Sequence, residues 1–405
     1  MIRIPDKVFE LRCGGSPAAD LYPYVEYVEV DESVDGSSFT IRLRLSAGPD
    51  GEWNHLSDER FTPFARLGVS LGFTGGGLAG APTAAGGLLS PGGSGPEPLA
   101  EGYVIGTALR LSGRDAHLDV FCQDPWAVLG QEEKVVAWPD LSDSDIAEQI
   151  LTAAGFAADV TTVPPLRQSD DTLVVQRGTD ASFLRALARR NGFEVRFVPE
   201  GDGNRCRFGP PGLDGTPQPD LAIRFGATSN LRSFEATLDG RRPLSVRAAQ
   251  LVPGTRQEAT VEVGEPAHHR TGRTGLAALT ADTLARAARP LRTPGALLLT
   301  ATPTADPSEL QQQAQAARDE AAWFVEAAGE INSDAYGHVL RAGRSVLVKG
   351  AGSLHSGAYY VTRVVHRMRP EGEYRQRFEA RRNAVGLEGS ESFGGGAPGL
   401  SLPGL

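Results

Sequence analysis

Residues 37–47 read SSFTIRLRLSA, and this strict alternation constrains the fold more than any other stretch. Phe39, Ile41, Leu43 and Leu45 fall on one side and Thr40, Arg42 and Arg44 on the other, the pattern of a half-buried strand. The preceding VEYVEV and the turn-rich DESVDGSS supply a hairpin partner. GVSLGF places Val69, Leu71 and Phe73 on one face, and EGYVIGTALRLSG and HLDVFCQDP repeat the strand pattern. Between them, residues 74–98 (TGGGLAGAPTAAGGLLSPGGSGPEP) hold too little apolar surface to offset their chain entropy and read as a flexible insertion. Residues 1–125 are therefore expected to form one barrel or sheet with a Gly/Pro-rich insertion, ending at Asp124-Pro125.

From Trp126 the period changes to that of helices. LSDSDIAEQILTAAGF sets Ile146, Ala147, Ile150, Leu151 and Ala154 on one face, with Ser142 or Asp143 to cap it and Gly155 to stop it. The stretch VQRGTDASFLRALARRNGFEVRF has the same design. Thr179 is the expected N-cap and Asp180 complements the helix dipole. Phe183, Leu184, Leu187 and Ala188 form the apolar stripe, Gly192 the left-handed stop, and FEVRFV the following strand. Residues 126–225 thus read as a small α/β domain.

Strand patterns return in LAIRFG, LRSFEATL, PLSVRAAQLV and EATVEVGE, then a loop with a short helix, and ALLLTATP, which reads as a buried strand. DPSELQQQAQAARDEAAWFVEAAGE carries a helix signal: Asp306 to cap, Pro307 at the first position, Glu309 for a capping box. Leu310, Ala314, Ala317, Ala321, Val325 and Ala328 keep helical spacing, so a helix over 307–328, about 33 Å long, is expected. RSVLVKG, GAYYVTRVVHRM and YRQRFEARR close a second β-rich region, 226–387. Residues 388–405 read as a disordered tail. The expected class is α+β and β-rich.

A chain of 405 residues has room for several domains. A net charge of −10 with no long basic run argues against sequence-independent nucleic-acid binding. Cys13, Cys122 and Cys206 are far apart and odd in number, which suits a reducing compartment. MIRIPDKVFELRCGG lacks an apolar signal-peptide core, and no apolar run reaches the ~18 residues of a membrane span. We therefore expect assembly in the cytoplasm without membrane insertion. His268-His269 lack further ligands at metal-binding spacing, and His338, His355 and His366 read as structural. GAGSLHSG precedes a strand, not a helix, so it reads as a turn and not a phosphate loop. No nucleophile elbow, Walker lysine or H-E-x-x-H motif is present. The expectation is a chain with no catalytic residues, no cofactor and no metal. The late arginines, interleaved with Glu371, Glu373 and Glu379, read as a solvated or subunit-contacting face.

DTLVVQRGTDASFLRALARRNGFEVRF resembles the signature of the late control protein D family, the baseplate hub of contractile phage tails, type VI spike proteins and extracellular contractile injection systems. Gln176, Asp180, Phe183, Leu184, Leu187, Ala188, Gly192 and Phe193 carry the match. LRAGRSVLVKGAGSLHSGAYYVTRVVHRMRPEGEYRQRFEARRN resembles a second family element through Gly343, Gly357, Tyr360, His366, Tyr374 and Phe378. DPWAVLGQEEKVVAWPDLSDSDIAEQI is similar to the segment after the first barrel. The matches run in order over roughly residues 20 to 387. The resemblance implies two tail-tube-like β-barrels with α/β material between them. It also implies a homotrimer that adapts a six-fold inner tube to a three-fold spike. Its partners would be other copies of itself, a separate spike protein, an inner tube or tube-initiator protein, and baseplate wedge proteins. The named residues would be structural. The type VI spike proteins continue into a spike after the hub, and here the spike is expected to be a separate polypeptide. A tail-tip cell-wall hydrolase and an effector-loading adaptor are the alternative readings.

Overall fold

The structure, a computed structural model, describes residues 2–4, 7–73, 96–113, 115–164, 173–201, 203–251, 256–287, 295–300 and 307–389. Residues 74–95 of the expected insertion and 390–405 of the expected tail lie outside them, as does Asp306.

The first β-rich unit comprises β1 (Ile2–Ile4), β2 (Lys7–Cys13), β3 (Ser16–Pro17), β4 (Val25–Ser33), β5 (Ser38–Arg44), β6 (Arg66–Phe73), β7 (Glu97–Ser112) and β8 (Asp115–Gln123). Its long strands follow the order β2-β6-β7-β8-β5-β4. The alternation that opened the sequence reading is realised in β5: Phe39, Ile41 and Leu43 are buried and enter one core with Val28, Val30, Val69, Leu71, Leu118 and Val120. Each such side chain contributes about 1.5–3 kcal/mol by leaving water. Glu97 and Pro98, expected within the insertion, already belong to β7.

The central unit holds α1 (Trp126–Leu129), β9 (Glu133–Trp138), α2 (Asp143–Ala153), β10 (Ala157–Val160), β11 (Val174–Thr179), α3 (Asp180–Asn191), β12 (Glu194–Glu200) and β13 (Gly203–Gly209). Ser142 and Asp145 close a capping box on α2. Ile146, Ile150, Leu151, Leu184, Leu187, Val195, Phe197 and Phe208 share a separate core. Ala154, expected on the buried face of α2, lies past its end and is exposed.

The remaining elements are β14 (Gln218–Ala222), β15 (Leu231–Leu238), β16 (Ser245–Leu251), β17 (Glu258–Val263), α4 (Leu276–Arg286), β18 (Ala296–Leu299), α5 (Pro307–Ala321), β19 (Val325–Ile331), α6 (Ser333–Tyr336), β20 (Ser345–Lys349), α7 (Gly352–His355), β21 (Gly357–Met368) and β22 (Tyr374–Arg382). The second barrel runs β20-β21-β22-β19-β15, and β14 joins the outer edge of β20. The expected helix over 307–328 ends at Ala321, and Val325–Ile331 is a strand. Val325 and Ala328 fit helical spacing, but alternation also fits Val325, Ala327 and the following residues. Pairing with both β15 and β22 satisfies that segment's backbone and buries Val325 and Ala327. ALLL, expected to be buried, is instead an edge strand parallel to β16 with Leu297 and Leu298 exposed. β17-β16-β18 and α5 enclose a fourth small core of Val246, Ala248, Val263, Leu310 and Ala314.

The two barrels repeat one plan. In the first, neighbouring strands follow the order β4-β5-β8-β7-β6; in the second, β15-β19-β22-β21-β20, with matching chain order and antiparallel pairing throughout. The plans part at the sixth strand, where β2 runs antiparallel to β6 but β14 runs parallel to β20. β4 pairs antiparallel with β21, from Val28↔Met368 to Ser33↔Arg363, so both barrels lie in one continuous sheet.

Candidate functional site: the seam between the barrels and its buttress

The signature unit around α3 forms as its sequence dictates. The Thr179 side chain accepts from the Ser182 N–H. Leu184 and Leu187 are buried, with Phe183 packed at the margin of the same core. Gln176, fully buried, donates to Asp180 Oδ1 (2.7 Å), while Lys134 Nζ reaches Asp180 Oδ2 (2.7 Å). One carboxylate thus ties β11 and β9 to the helix start. Gly192 is left-handed (φ 69°), and the Phe193 N–H bonds to the Ala188 carbonyl at 2.9 Å, closing a Schellman stop. Position 192 needs glycine twice, because a Cβ there would sit 3.3 Å from the Ala316 Cα of α5.

The same helix reaches the first barrel. Arg185 lies 4.1 Å over the Trp126 ring and donates to the Asp35 carbonyl (3.0 Å) in the turn after β4. Nearby Asp124 is buried and accepts from the Ser37 and Trp126 N–H groups at 2.6 and 3.1 Å. Burial pushes its carboxyl up to about 6, against the opposing pull of those two N–H groups and Arg185.

Toward the second barrel, Glu194, which follows the α3 stop, accepts from Tyr360 Oη (2.5 Å) and Arg381 (3.1 Å). Trp323 stacks on Tyr360 with ring centroids 5.9 Å apart, and the Arg381 guanidinium lies 4.3 Å over the indole. Val34 and Leu213 complete this small buried cluster. Burial raises the Glu194 pKa, outweighing Arg381 and Tyr360. The cluster floors a cleft of about 920 Å³ between α3, α5 and the outer faces of β15, β19 and β22. Gly357 (φ 130°) lets Arg382 pass beneath it, where a Cβ would lie 2.7 Å from the guanidinium. Arg382, expected on a solvated or contact face with the other late arginines, is fully buried. It donates to the carbonyls of Ser356, Thr271 and Gly386 because β22 turns that side inward. Phe378 packs in the second core opposite Gly329, which leaves its ring room.

His366 and Tyr374 meet in the seam itself. His366 is fully buried, its Nδ1 2.8 Å from Tyr374 Oη. Its Nε2 is 3.6 Å from Glu32 of β4, too far for a hydrogen bond but close enough to feel the charge. Arg341 holds Glu32 at 3.0 and 3.1 Å and donates to the carbonyls of Pro98 and Leu99 in β7. Burial alone would raise the Glu32 pKa, but Arg341 and His366 hold it below the usual range. Burial depresses the His366 pKa, against the opposing pull of Glu32. At the seam's exposed margin Arg363 reaches Asp31 at 2.6 and 2.7 Å, and Arg367 reaches Glu29 at 3.5 Å.

The structure therefore gathers the signature residues into four places. Gln176, Asp180, Phe183, Leu184 and Leu187 build the α3 unit, Gly192 and Tyr360 flank the cleft, and His366 and Tyr374 lie in the seam. Gly357 and Phe378 shape the second barrel. Glu32, Arg341, Glu194 and Trp323 were not singled out from sequence, and Arg381 was read only as one of the late arginines on a solvated or subunit-contacting face. Their partners are distant in the chain, up to 309 residues for Arg341 and Glu32. Chemically this arrangement holds surfaces together, each charge being engaged by a group from another element.

A family model described as Alg8 N-terminal domain matches residues 93–370, more than half of the chain. The fold is similar to a 43 kDa tail protein of prophage MuSo2 from Shewanella oneidensis (TM-score 0.62, 12% identity, covering 94% of this chain and 99% of that one). It is also similar to a tail protein of Neisseria meningitidis MC58 (TM-score 0.61, 12% identity, 93% and 96%). A third similar structure is the Escherichia coli c3393 protein (TM-score 0.51, 12% identity, 95% and 80%), described as a type VI secretion component with structural similarity to the T4 tail proteins gp27 and gp5. No curated protein matches the sequence.

Proposed function

The chain belongs to the family described as Alg8 N-terminal domain, and from its tail-protein fold we propose that it is a structural baseplate hub of a contractile tail or contractile injection system. In this reading it forms a homotrimer joining a six-fold inner tube to a three-fold spike. The observation that carries the reading is internal: two barrels of one plan, fused edge to edge through β4 and β21. Three such chains present six barrels to the tube and three identical central units to the spike, a closed cyclic assembly. The ion pairs across the seam and the α3 buttress support a structural role over a catalytic one. The c3393 protein supports the reading at the level of fold.

The test is native mass spectrometry of the full chain, alone and with candidate tube and spike proteins of the same particle. A trimer that captures both is expected. A trimer that binds neither refutes the hub assignment, and a chain that stays monomeric with both partners present refutes the assembly.

A further inference from the structure

The pairing registers of the two barrels can be superimposed residue by residue. β7 pairs with β8 through Tyr103↔Gln123 and Val104↔Cys122, then slips by one residue and resumes at Gly106↔Phe121. β21 pairs with β22 through Tyr360↔Arg381 and Val361↔Ala380, slips in the same place and resumes at Arg363↔Glu379. The flanking backbone bonds repeat as well: Val104 bonds with Ala65 and Phe64, Val361 with Arg344 and Gly343. Hence Thr107, Leu109, Arg110 and Leu111 correspond to Val364, His366, Arg367 and Met368. β4 and β15 match too, each slipping against its neighbour after the first pair, at Val25/Tyr27 and Leu231/Ser233. Val28, Glu29, Val30 and Glu32 correspond to Phe234, Glu235, Ala236 and Leu238.

This equivalence exposes an imbalance. The second half of β21 carries β22 on one edge and β4 on the other. The second half of β7 carries β8 on one edge, while β6 pairs only up to Tyr103. The seam positions Val364, His366 and Met368 are 0, 0 and 3% exposed; their counterparts Leu109 and Leu111 are 44 and 55% exposed, and Thr107 is exposed as well. On the other side, Val28 and Val30 are fully buried, whereas Phe234, Ala236 and Leu238 on the sheet's terminal strand are only partly so. Apolar residues thus stand open at the two places where the internal seam, once repeated, would cover them.

We propose that the Thr107–Leu111 edge of β7 pairs antiparallel with β15 of a second copy, in the register of β21 with β4. The proposal takes its partner, another copy, from the self-associating reading above and goes beyond it in naming the edges and register. The pairs are Thr107 with Leu238, Ala108 with Thr237, Leu109 with Ala236, Arg110 with Glu235 and Leu111 with Phe234. Charge agrees with this register. Arg110, whose Nε also donates to Asp119 of its own chain at 2.6 Å, stands opposite Glu235 as Arg367 stands opposite Glu29, and both Arg110 and Glu235 are exposed. Every other pair sets an apolar or small side chain against another. Strand addition of this kind satisfies the open backbone edge and covers the apolar row at once.

The test uses the full chain with Cys13→Ser, to remove the one native thiol that is not buried. Leu109→Cys and Ala236→Cys are combined and oxidised gently, since directly opposed antiparallel positions lie within disulfide reach. Cross-linking between copies is expected for the pair, absent from either single variant and at least tenfold slower for Leu109→Cys with Thr237→Cys. Separately, Glu235→Arg, which sets a second cation against Arg110, is expected to weaken association about tenfold, which equals about 1.4 kcal/mol, and Glu235→Gln to weaken it less. An oligomer of native mass whose 109/236 pair does not cross-link overturns the proposed edges while leaving self-association intact. Equal cross-linking of the 109/237 control overturns the register. Loss of tube or spike binding with cross-linking preserved refutes only the hub assignment.

Discussion

Asp124 gives the sharpest energetic prediction. Its carboxyl is buried beside Trp126 at the exit from the first barrel, with a pKa of about 6 against an ordinary 3.8. The folded state therefore holds a proton between these values that the unfolded chain releases. Stability from this group is fully present below pH 3.8, falls as pH rises through the window, and levels off above about 6. About two pH units of displacement correspond to roughly 3 kcal/mol. Asp124→Asn removes the titration. It also turns an amide NH₂ toward one of the two backbone N–H groups, a constant cost of about 1–3 kcal/mol. Urea unfolding followed by tryptophan fluorescence, on both proteins from pH 4 to 7.5, isolates the effect in the difference between them. Relative to the Asn variant, the natural chain should gain roughly 3 kcal/mol as pH falls from 7 to 4. A difference that does not change with pH, or one that moves the other way, refutes the reasoning.

Three further outcomes follow from the geometry. Gly192→Ala forces a left-handed alanine against Ala316 and should cost about 1–3 kcal/mol in thermal or urea unfolding. Tyr374→Phe leaves the buried Nδ1 of His366 without its 2.8 Å partner; a loss of about 1–3 kcal/mol is expected, visible as a lower unfolding midpoint. Glu32→Gln strands the Arg341 charge inside the seam and should cost about 3–5 kcal/mol. Arg341→Met combined with Glu32→Gln should recover much of that loss, and a double variant no better than the single one contradicts the pairing.

The sequence carries local geometry plainly and tertiary choice poorly. The β5 alternation, the Thr179 cap and the Gly192 stop each rest on a few neighbouring residues, and each was readable. The end of α5 was not. AAWFVEAAGE satisfies helical and strand periods alike, and only β15 and β22, more than 40 residues away on either side, decide between them. The ALLL segment misled because four apolar residues reveal hydrophobicity but not which neighbour, if any, covers them. The seam ion pairs lay beyond reach for another reason: Glu32 and Arg341 sit on ordinary-looking charged positions, and nothing local marks Glu32 as buried or Arg341 as its partner.

The seam also sets a timetable. Asp31 and Arg363, which face each other across it, are 332 residues apart in the chain. At ~5–20 residues per second of synthesis, β4 leaves the ribosome roughly 15–70 s before its partner strand exists. For that interval the first barrel carries a bare, apolar-faced edge on a polysome crowded with identical nascent chains. Wrong pairing between neighbours would use the same hydrogen bonds as the correct one. Slow translation of the last hundred codons lengthens that exposure, so production of soluble protein should depend on elongation speed there more than on the stability of the finished fold.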